Sequence, residues 1–298
     1  MNRLVLSLLA AAAVVGISGP STAFPLMPFG HKAPKAAAEP EVKLVPPESG
    51  DWVHLDPETV LVIDTNKGRI FVELAPELAP QSVARVKQLT REHFYDGLKF
   101  HRVIDTFMAQ TGDPQGTGMG GSKYPDVKGE FSIRRDQAIP VVAPMGGDGD
   151  EDGFIGVMPV ESQADDLMDM TVDHKVWTWG KFCPGVAGMA RSESPDSANS
   201  QFFLMRQTNP GLDKGYTAFG RVVAGLSVVR ALKVGEPVID PDVMTKVQLL
   251  ADLPEGQRPT VLVLDPHSKA FASIIAKTKQ DKGSDFSICD VDIPSMVK

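Results

Sequence analysis

The sequence has few basic residues and no basic run. Lys and Arg number 30 in 298 residues, against 38 Asp and Glu, and the formal net charge is −8. Proteins that bind nucleic acid through its phosphates need clustered Lys and Arg, so a nucleic-acid partner is excluded. The remaining composition, 42% hydrophobic and 23% charged, is typical of a globular protein.

Long hydrophobic runs are also missing, apart from a short one at the N-terminus. Arg3 precedes an apolar stretch over residues 4–17, and small residues follow it as far as Ala23. A membrane span needs about 20 apolar residues, so this run is too short. The pattern predicts a signal peptide over residues 1–23. We therefore expect an exported protein, periplasmic or secreted, with no stable membrane insertion after cleavage.

Residues 24–57 have too little apolar content to fold by themselves, because Pro, Ala and charged residues dominate them. This composition predicts a semi-extended linker. We expect the folded part of the chain to begin near Val60.

Cysteine is scarce, with Cys183 and Cys289 as the two present. In an exported protein the two can form a disulfide bond, or they can remain separate thiols. A disulfide needs a short Cα–Cα distance, which a sequence does not provide, so both alternatives stay open.

Common motifs for metals, phosphates and nucleophiles are absent. No two of the six histidines have metal-ligand spacing, and there is neither a Gly-x-Ser-x-Gly elbow nor a Walker loop. Residues 148–155 match the first half of a calcium loop, but Pro159 replaces the bidentate Glu that such a loop needs. We therefore expect no metal and no cofactor.

Short β-branched runs, separated by turns, dominate the middle of the chain. Residues 60–64 and 69–74 predict a β-hairpin, and later strands are predicted near residues 100–110, 185–190, 201–205, 218–223 and 246–250. Helical periodicity is confined to residues 76–95 and 226–232 before the C-terminal region. Many short strands with two short helices predict a closed antiparallel barrel. A further strand over 261–264 and a helix over 268–279 are predicted after it.

Two ordered blocks of sequence carry a family resemblance. The first is Phe-His-Arg-Val-Ile at residues 100–104, continued by Phe-Met-Ala-Gln-Thr-Gly-Asp at 107–113. The second is Gly-Met-Ala at 188–190 and Asn-Ser-Gln-Phe-Phe at 199–203, followed by Leu-Asp at 212–213 and Phe-Gly at 219–220. In order and spacing these blocks resemble the cyclophilin family of peptidyl-prolyl cis/trans isomerases.

The resemblance implies a mainly β fold, a closed eight-stranded antiparallel barrel capped by two helices. The isomerase domain is expected over residues 58–253. It would carry an enlarged insertion at 122–184, and residues 254–298 would form a C-terminal extension.

The chemistry of such a family explains the missing motifs. Rotation about a prolyl peptide bond has a barrier of about 18–20 kcal/mol, because resonance resists twisting. An enzyme lowers this barrier by binding the twisted amide better than either planar form, without nucleophile or cofactor. A guanidinium that donates to the prolyl nitrogen favours the twisted form. By resemblance, Arg102 is this catalytic group.

The same resemblance assigns nine residues to substrate binding. They are Phe107, Met108, Phe203 and Leu212 as the proline pocket, Tyr216 at its edge, Gln110 and Gln201 on the substrate backbone, and Ala190 and Arg191 on the substrate-binding edge strand. Three places depart from the family pattern, namely Asp105 with Thr106, Arg191, and Gly211. We expect these to affect which substrates bind more than whether the bond turns.

The function predicted from the sequence is an isomerase that assists the folding of exported proteins. Its partners would be proline-containing polypeptides, and we expect a monomer. The alternative is a peptide-binding chaperone or scaffold module that uses the same groove without needing turnover.

Overall fold

A computed structural model of the protein describes residues 41–146 and 149–298. The predicted signal peptide and the linker as far as residue 40 lie outside the described residues. Residues 41–298 form one unit, built from these elements: β1 Trp52–His54, β2 Val60–Thr65, β3 Gly68–Leu74, α1 Pro80–Arg91, β4 Arg102–Val103, β5 Met108–Thr111, β6 Ile133–Arg135, β7 Val142–Met145, β8 Glu151–Ile155, β9 Met158–Ser162, β10 Val176–Gly180, β11 Val186–Met189, β12 Phe202–Met205, β13 Ala218–Ala224, α2 Leu226–Ala231, β14 Met244–Leu249, β15 Val261–Leu264, α3 Lys269–Lys282 and β16 Ser295–Val297.

The main sheet has eight antiparallel strands in the order β14-β2-β3-β13-β11-β12-β5-β4. The predicted hairpin is confirmed, since β2 pairs with β3 from Val60 opposite Glu73 to Thr65 opposite Gly68. Gly68 has φ +136, a conformation that favours glycine and lets the turn close tightly. The mainly β fold and the eight strands expected from the sequence are therefore confirmed.

The expected closed barrel is not confirmed, and the sheet is a curled half-barrel. Within the described ranges, its end strands β14 and β4 share no ladder. The loop between α2 and β14 runs along β4 and makes single bridges, such as Val103 with Gly235. This loop contains Pro237 and Pro241, which have no N–H to donate to a continuous ladder.

The concave side of the half-barrel holds the main core. Ile63 and Ile70 of the hairpin meet Phe202 and Phe219 there, and all four are fully buried. Helix α1 begins with Pro80 in its first turn, a position where the missing N–H has no cost. It buries Val83, Val86 and Leu89 against this core, and α2 adds Val229. Two helices therefore cover the half-barrel, as predicted.

The predicted insertion contains a sheet of its own. Five antiparallel strands in the order β6-β10-β9-β8-β7 span most of residues 133–180. The fully buried Arg135 of the edge strand β6 donates to Ser162 Oγ at 2.7 Å and to Thr178 Oγ1 at 2.9 Å, with Asp165 as its ion-pair partner. The weak periodicity of this stretch reflects such buried polar groups, which interrupt the apolar pattern of the strands.

The end of the predicted linker is folded, which corrects the expectation that order begins near Val60. Strand β1 pairs with β15, placing Trp52 opposite Leu264, and β15 pairs in turn with β16. The pairing partner lies about 200 residues later in the chain, so local composition carries no signal for it. The strand and the helix predicted in the C-terminal extension are confirmed as β15 and α3. Phe271 of α3 packs edge-on against Phe154 of the insertion, with ring centroids 5.3 Å apart.

A disulfide bond joins Cys183 to Cys289, with a Cα–Cα distance of 4.8 Å. Of the two alternatives left open by the sequence, a disulfide or two separate thiols, the structure shows the disulfide. It fastens the C-terminal extension to the segment that leads into β11. Across the described part of the chain, no helix is long and apolar enough to cross a membrane.

Candidate active site

Strand register places Arg102, Gln110 and Phe203 in one row across the half-barrel. Arg102 of β4 lies opposite Gln110 of β5, and Gln110 lies opposite Phe203 of β12. Residues directly opposite in an antiparallel pair point to the same face of the sheet. Because their sequence neighbours face the main core, the row faces outward. Residue Gly188 of β11, opposite Phe203, continues it.

The period of two along each strand adds further predicted residues to this face. Met108 stands two residues before Gln110, Gln201 two before Phe203, and Ala190 two after Gly188. The Ala190 N–H donates to the Gln201 carbonyl oxygen at 3.0 Å, so the outward face continues past the end of both strands. Two motif blocks that are far apart in sequence therefore supply one surface.

The two glutamines are held by a chain of hydrogen bonds. Gln110 Nε2 donates to Gln201 Oε1 at 2.9 Å, and Gln201 Nε2 donates to the carbonyl oxygens of Gly118 and Gly120 at 3.0 and 2.7 Å. Gly118 and Gly120 lie in the glycine loop, residues 112–121, which is itself fixed by the Asp113 carboxylate. Burial alone would raise the pKa of Asp113, but backbone N–H donors of the loop outweigh it and lower that pKa. Both amides are thereby oriented before any ligand arrives.

Arg102 lies at the end of the row with its guanidinium partly exposed, and Glu236 is its ion-pair partner through Nε. The remaining nitrogens are less engaged, since NH1 reaches Gln110 Oε1 at 3.5 Å. The backbone of the loop carrying Glu236 is tied to β4, because Val238 N–H donates to the His101 carbonyl oxygen at 3.0 Å. Sequence analysis missed Glu236, because no motif marks this loop.

His101 lies directly beside Arg102 in the sequence and, unlike Arg102, is buried. Neither of its ring nitrogens has a hydrogen-bond partner among the described residues. Burial lowers the pKa of His101, so the ring is neutral at physiological pH. The guanidinium of Arg102 therefore has no second positive charge behind it.

Beside the row, the residues predicted for the proline pocket lie together in one apolar cluster, which is called the pocket below. Met108, Phe203 and Leu212 are buried in one cluster, with Phe107 and Tyr216 packed against it. The Phe203 and Tyr216 rings meet edge-on with centroids 6.0 Å apart. The five predicted pocket residues are thus brought together, at the outward end of the row.

Gly188 is required under this pocket. A Cβ atom at this position would lie 2.5 Å from Phe203 Cζ and 2.6 Å from Phe182 Cε1, closer than real carbon contacts. The absence of a side chain at this position lets both rings approach the backbone of β11 closely. Phe182 is a second residue that the sequence analysis missed, since it precedes the motif block.

Arg191 braces the rim of the pocket. Its Nε donates to the Gly215 carbonyl oxygen at 3.0 Å and its NH1 to the Ser192 carbonyl oxygen at 2.8 Å, while its guanidinium lies 4.4 Å from the centre of the Tyr216 ring. A groove of about 420 Å³ begins here; among its lining residues are Arg191, Ala190, Gln110, Gln201, Asn199 and Met119.

The structure explains one of the two other departures from the family pattern. Asp105, in the turn before Phe107, is the ion-pair partner of the buried Arg206 at 2.6 Å. Its carboxylate therefore stabilises the turn by a contact that a Pro-Gly turn would lack. Gly211 is exposed at the start of the turn that carries Leu212, and nothing in the structure explains its identity.

Metal ligands are not clustered in the part of the chain that the structure describes. No group of three or more His, Cys, Asp or Glu side chains is arranged there to hold an ion. The acidic segment weighed as a calcium loop begins outside the described residues, and Glu151–Ile155 within it forms strand β8.

Comparison with known proteins gives a consistent result. The family model for cyclophilin type peptidyl-prolyl cis-trans isomerases matches residues 60–250. A probable peptidyl-prolyl cis-trans isomerase of Brucella suis is 34% identical over 213 residues, covering 66% of this chain and 85% of the relative. The Schizosaccharomyces pombe isomerase ppi1 is 32% identical over 170 residues, covering 57% and 82%.

A solved structure extends the similarity beyond the matched region. The crystal structure of cyclophilin AquaCyp293 from Hirschia baltica aligns with a TM-score of 0.76 and 34% identity, over 83% of this chain and 93% of that one. Because the family model, the relatives and this structure agree with the strand order and the motif blocks, the chain belongs to the cyclophilin family of peptidyl-prolyl cis-trans isomerases.

Proposed function

We propose that the protein isomerises Xaa-Pro bonds in exported polypeptides and thereby assists their folding. The observation that carries this proposal is the outward row of Arg102, Gln110 and Phe203 beside an apolar pocket. The row offers one permanent charge, one oriented amide and one apolar surface within three neighbouring strands. These are the groups that a rotating prolyl amide needs.

The proposed mechanism divides the substrate between these groups. The proline ring enters the pocket of Phe107, Met108, Phe203, Leu212 and Tyr216. As the C–N bond twists, the nitrogen lone pair localises and accepts a hydrogen bond from the Arg102 guanidinium, which stays charged at any relevant pH. This bond is stronger in the twisted state than in either planar state, so it lowers the barrier.

Polar groups bind the substrate backbone outside the proline ring. Gln110 and Gln201 are fixed by their shared hydrogen bond and the glycine loop, so they bind the substrate backbone without first being ordered. Ala190 and Arg191 follow the free end of β11 and offer an extended edge to the peptide.

Export is part of this proposal and has two supports. The sequence begins with a signal-like segment, and the disulfide between Cys183 and Cys289 is of the kind that persists in oxidising compartments. The site of action would be the periplasm of a two-membrane bacterium, or the exterior otherwise. We propose that the protein acts there as a monomer on proline-containing chains.

The test is prolyl exchange in a short Xaa-Pro peptide, followed by NMR exchange spectroscopy. Uncatalysed exchange takes tens to hundreds of seconds, so catalysis at micromolar enzyme is easily resolved. We expect the purified protein to accelerate it. Absence of acceleration, in protein shown to be folded, would overturn the proposal and favour a chaperone or scaffold that binds peptides without turnover.

Glu236 is expected to position Arg102. In Glu236→Gln the ion pair is lost but the side-chain shape is kept, so the guanidinium loses orientation. Exposed ion pairs contribute about 1 kcal/mol or less, which predicts a two- to fivefold lower kcat with little change in KM. Steady-state kinetics of prolyl exchange measures both constants. An unchanged kcat would show that Glu236 does not orient the arginine.

A further inference from the structure

A second cavity, of about 460 Å³, lies over the outward face of β3. Its walls come from β1 and the turn after it, the end of β3, the β6–β7 connection, the β8–β9 turn, and His267 of the C-terminal extension. Both β1 and His267 lie outside the region that the family model matches. Strands β13 and β11 separate β3 from β12, so this cavity is not part of the isomerase groove.

Glu73 is a half-buried acidic residue of this cavity. Ile70, Val72 and Leu74 face the main core, so the alternation of β3 directs Glu73 outward. Its Oε2 is buried and has no hydrogen-bond partner among the residues that the structure describes. Burial raises the pKa of Glu73 to about 7, and the charge of Glu77 adds to this. Burying a carboxylate that accepts no hydrogen bond is unfavourable in free energy, so a ligand that supplies a donor would be stabilised here.

The obvious partner within the chain is directed elsewhere. Arg221 of β13 lies opposite Glu73 in the sheet. Its guanidinium instead donates to the carbonyl oxygens of Val157 and Val291, at 3.1 and 3.2 Å. Across the described ranges, no ion pair or side-chain hydrogen bond involves the Glu73 carboxylate.

The charge lining the cavity is unbalanced. Asp56 and Glu77 join Glu73, while His54 and His267 are the other titratable groups, and no Lys or Arg among the described residues lines the space. The rest of the wall is mostly apolar, with Ile139, Ile155 and Met158 among its residues. The acidic groups are not arranged to hold a metal within the described part of the chain. An apolar space with an unpaired carboxylate favours an organic cation on an apolar stem.

We propose that this cavity binds a guanidinium or alkylammonium group on a short aliphatic stem, with Glu73 as its counter-ion. Arginine and lysine side chains have this form, and so do small free amines. A guanidinium supplies two parallel N–H donors to one carboxylate, and its stem would contact the apolar wall. The bound ligand would contact β1, the insertion and the C-terminal extension at the same time.

Proton competition gives the site a pH dependence. The groups facing Glu73 are Asp56, Glu77, His54 and His267 in the cavity and Arg221 on the neighbouring strand. The carboxylate form of Glu73 binds the cation, whereas the protonated form does not. Affinity should therefore rise about tenfold between pH 6 and pH 8.

The test titrates butylguanidinium into isotope-labelled protein and follows amide shifts near residues 73–77 and 155–158. Neutral butylurea has the same shape and is the control ligand. We expect saturable shifts with the cation and none with the urea. In Glu73→Gln the affinity should fall at least tenfold, whereas Glu77→Gln, at an exposed position, should lose about two- to threefold.

Several outcomes would overturn the proposal. The first is that butylurea binds as tightly as butylguanidinium, and the second is that a folded Glu73→Gln binds the cation as tightly as the wild type. The third is that binding by the wild type does not depend on pH, a measurement that needs no variant. An arginine tripeptide, capped at both ends, is compared with butylguanidinium: tighter binding of the peptide assigns the ligand to a polypeptide side chain, and equal binding to a free amine. Prolyl exchange should be unchanged in Glu73→Gln, so this test is independent of the isomerase proposal.

Discussion

Replacing Arg102 with alanine is expected to lower kcat/KM for prolyl exchange by about 100- to 1000-fold, the loss seen when one transition-state donor is removed from an enzyme. The guanidinium is the charged donor of the proposed site, and its hydrogen bond to the prolyl nitrogen forms only as the amide twists. Substrate binding through the apolar pocket should persist, so the loss should lie mainly in kcat. Exchange spectroscopy on a short Xaa-Pro peptide measures the change.

Two further variants show whether the effect is specific. Arg102→Lys keeps the charge but cannot contact Glu236 and the substrate nitrogen with separate planar nitrogens, so it should recover only part of the lost rate. Arg134→Ala is the matched control, because Arg134 is also a partly exposed, ion-paired arginine but lies in the insertion sheet. It should leave the rate unchanged. Activity of Arg102→Ala within threefold of the wild type would contradict the proposed mechanism.

The double substitution Cys183→Ala and Cys289→Ala is expected to lower the free energy of unfolding by about 4 kcal/mol. The disulfide joins residues separated by 106 positions, and a closed loop of that length strongly restricts the unfolded chain. Alanine is preferred to serine because Cys183 is fully buried, where a hydroxyl would lack a partner. Urea denaturation, analysed by linear extrapolation, measures the change.

Reduction of the wild type provides an independent check of this second prediction. The reduced protein should be destabilised nearly as much as the double variant, because both lack the cross-link, although the variant also loses the buried sulfur of Cys183. The native rate of prolyl exchange should be retained under non-denaturing conditions, since the sulfurs do not line the groove. A difference below about 1 kcal/mol between oxidised wild type and the variant would mean that the extension holds in place without the bond.

Much of the half-barrel could be predicted because its signals are local. The alternation in residues 60–74 is enough to specify a hairpin, and the motif blocks fall on the strands that carry the outward row. Candidate residues such as Arg102, Gln110 and Phe203 were found from sequence because the family motif preserves their order. Their alignment, however, follows from strand register, which no single segment contains.

Other features depend on contacts between distant parts of the chain. Strand β1 needs β15 as its partner, and Cys183 needs the extension folded back before it meets Cys289. The contact of Glu236 with Arg102 depends on how a proline-containing loop follows β4. Closure of the barrel was predicted from the number of short strands and from the family resemblance, whereas that loop forms only single bridges.

Because side chains alternate between the two faces of the central strands, substitutions that affect folding and substitutions that affect binding fall at different positions. Along β5 and β12, substitutions at Ala109, Phe202 or Leu204 would act on folding, because these side chains belong to the main core. In the proposed site, substitutions at Gln110 or Gln201, one residue away, would act on what is bound. A lineage could therefore alter its client range by single changes on one face while the scaffold on the other face is left intact.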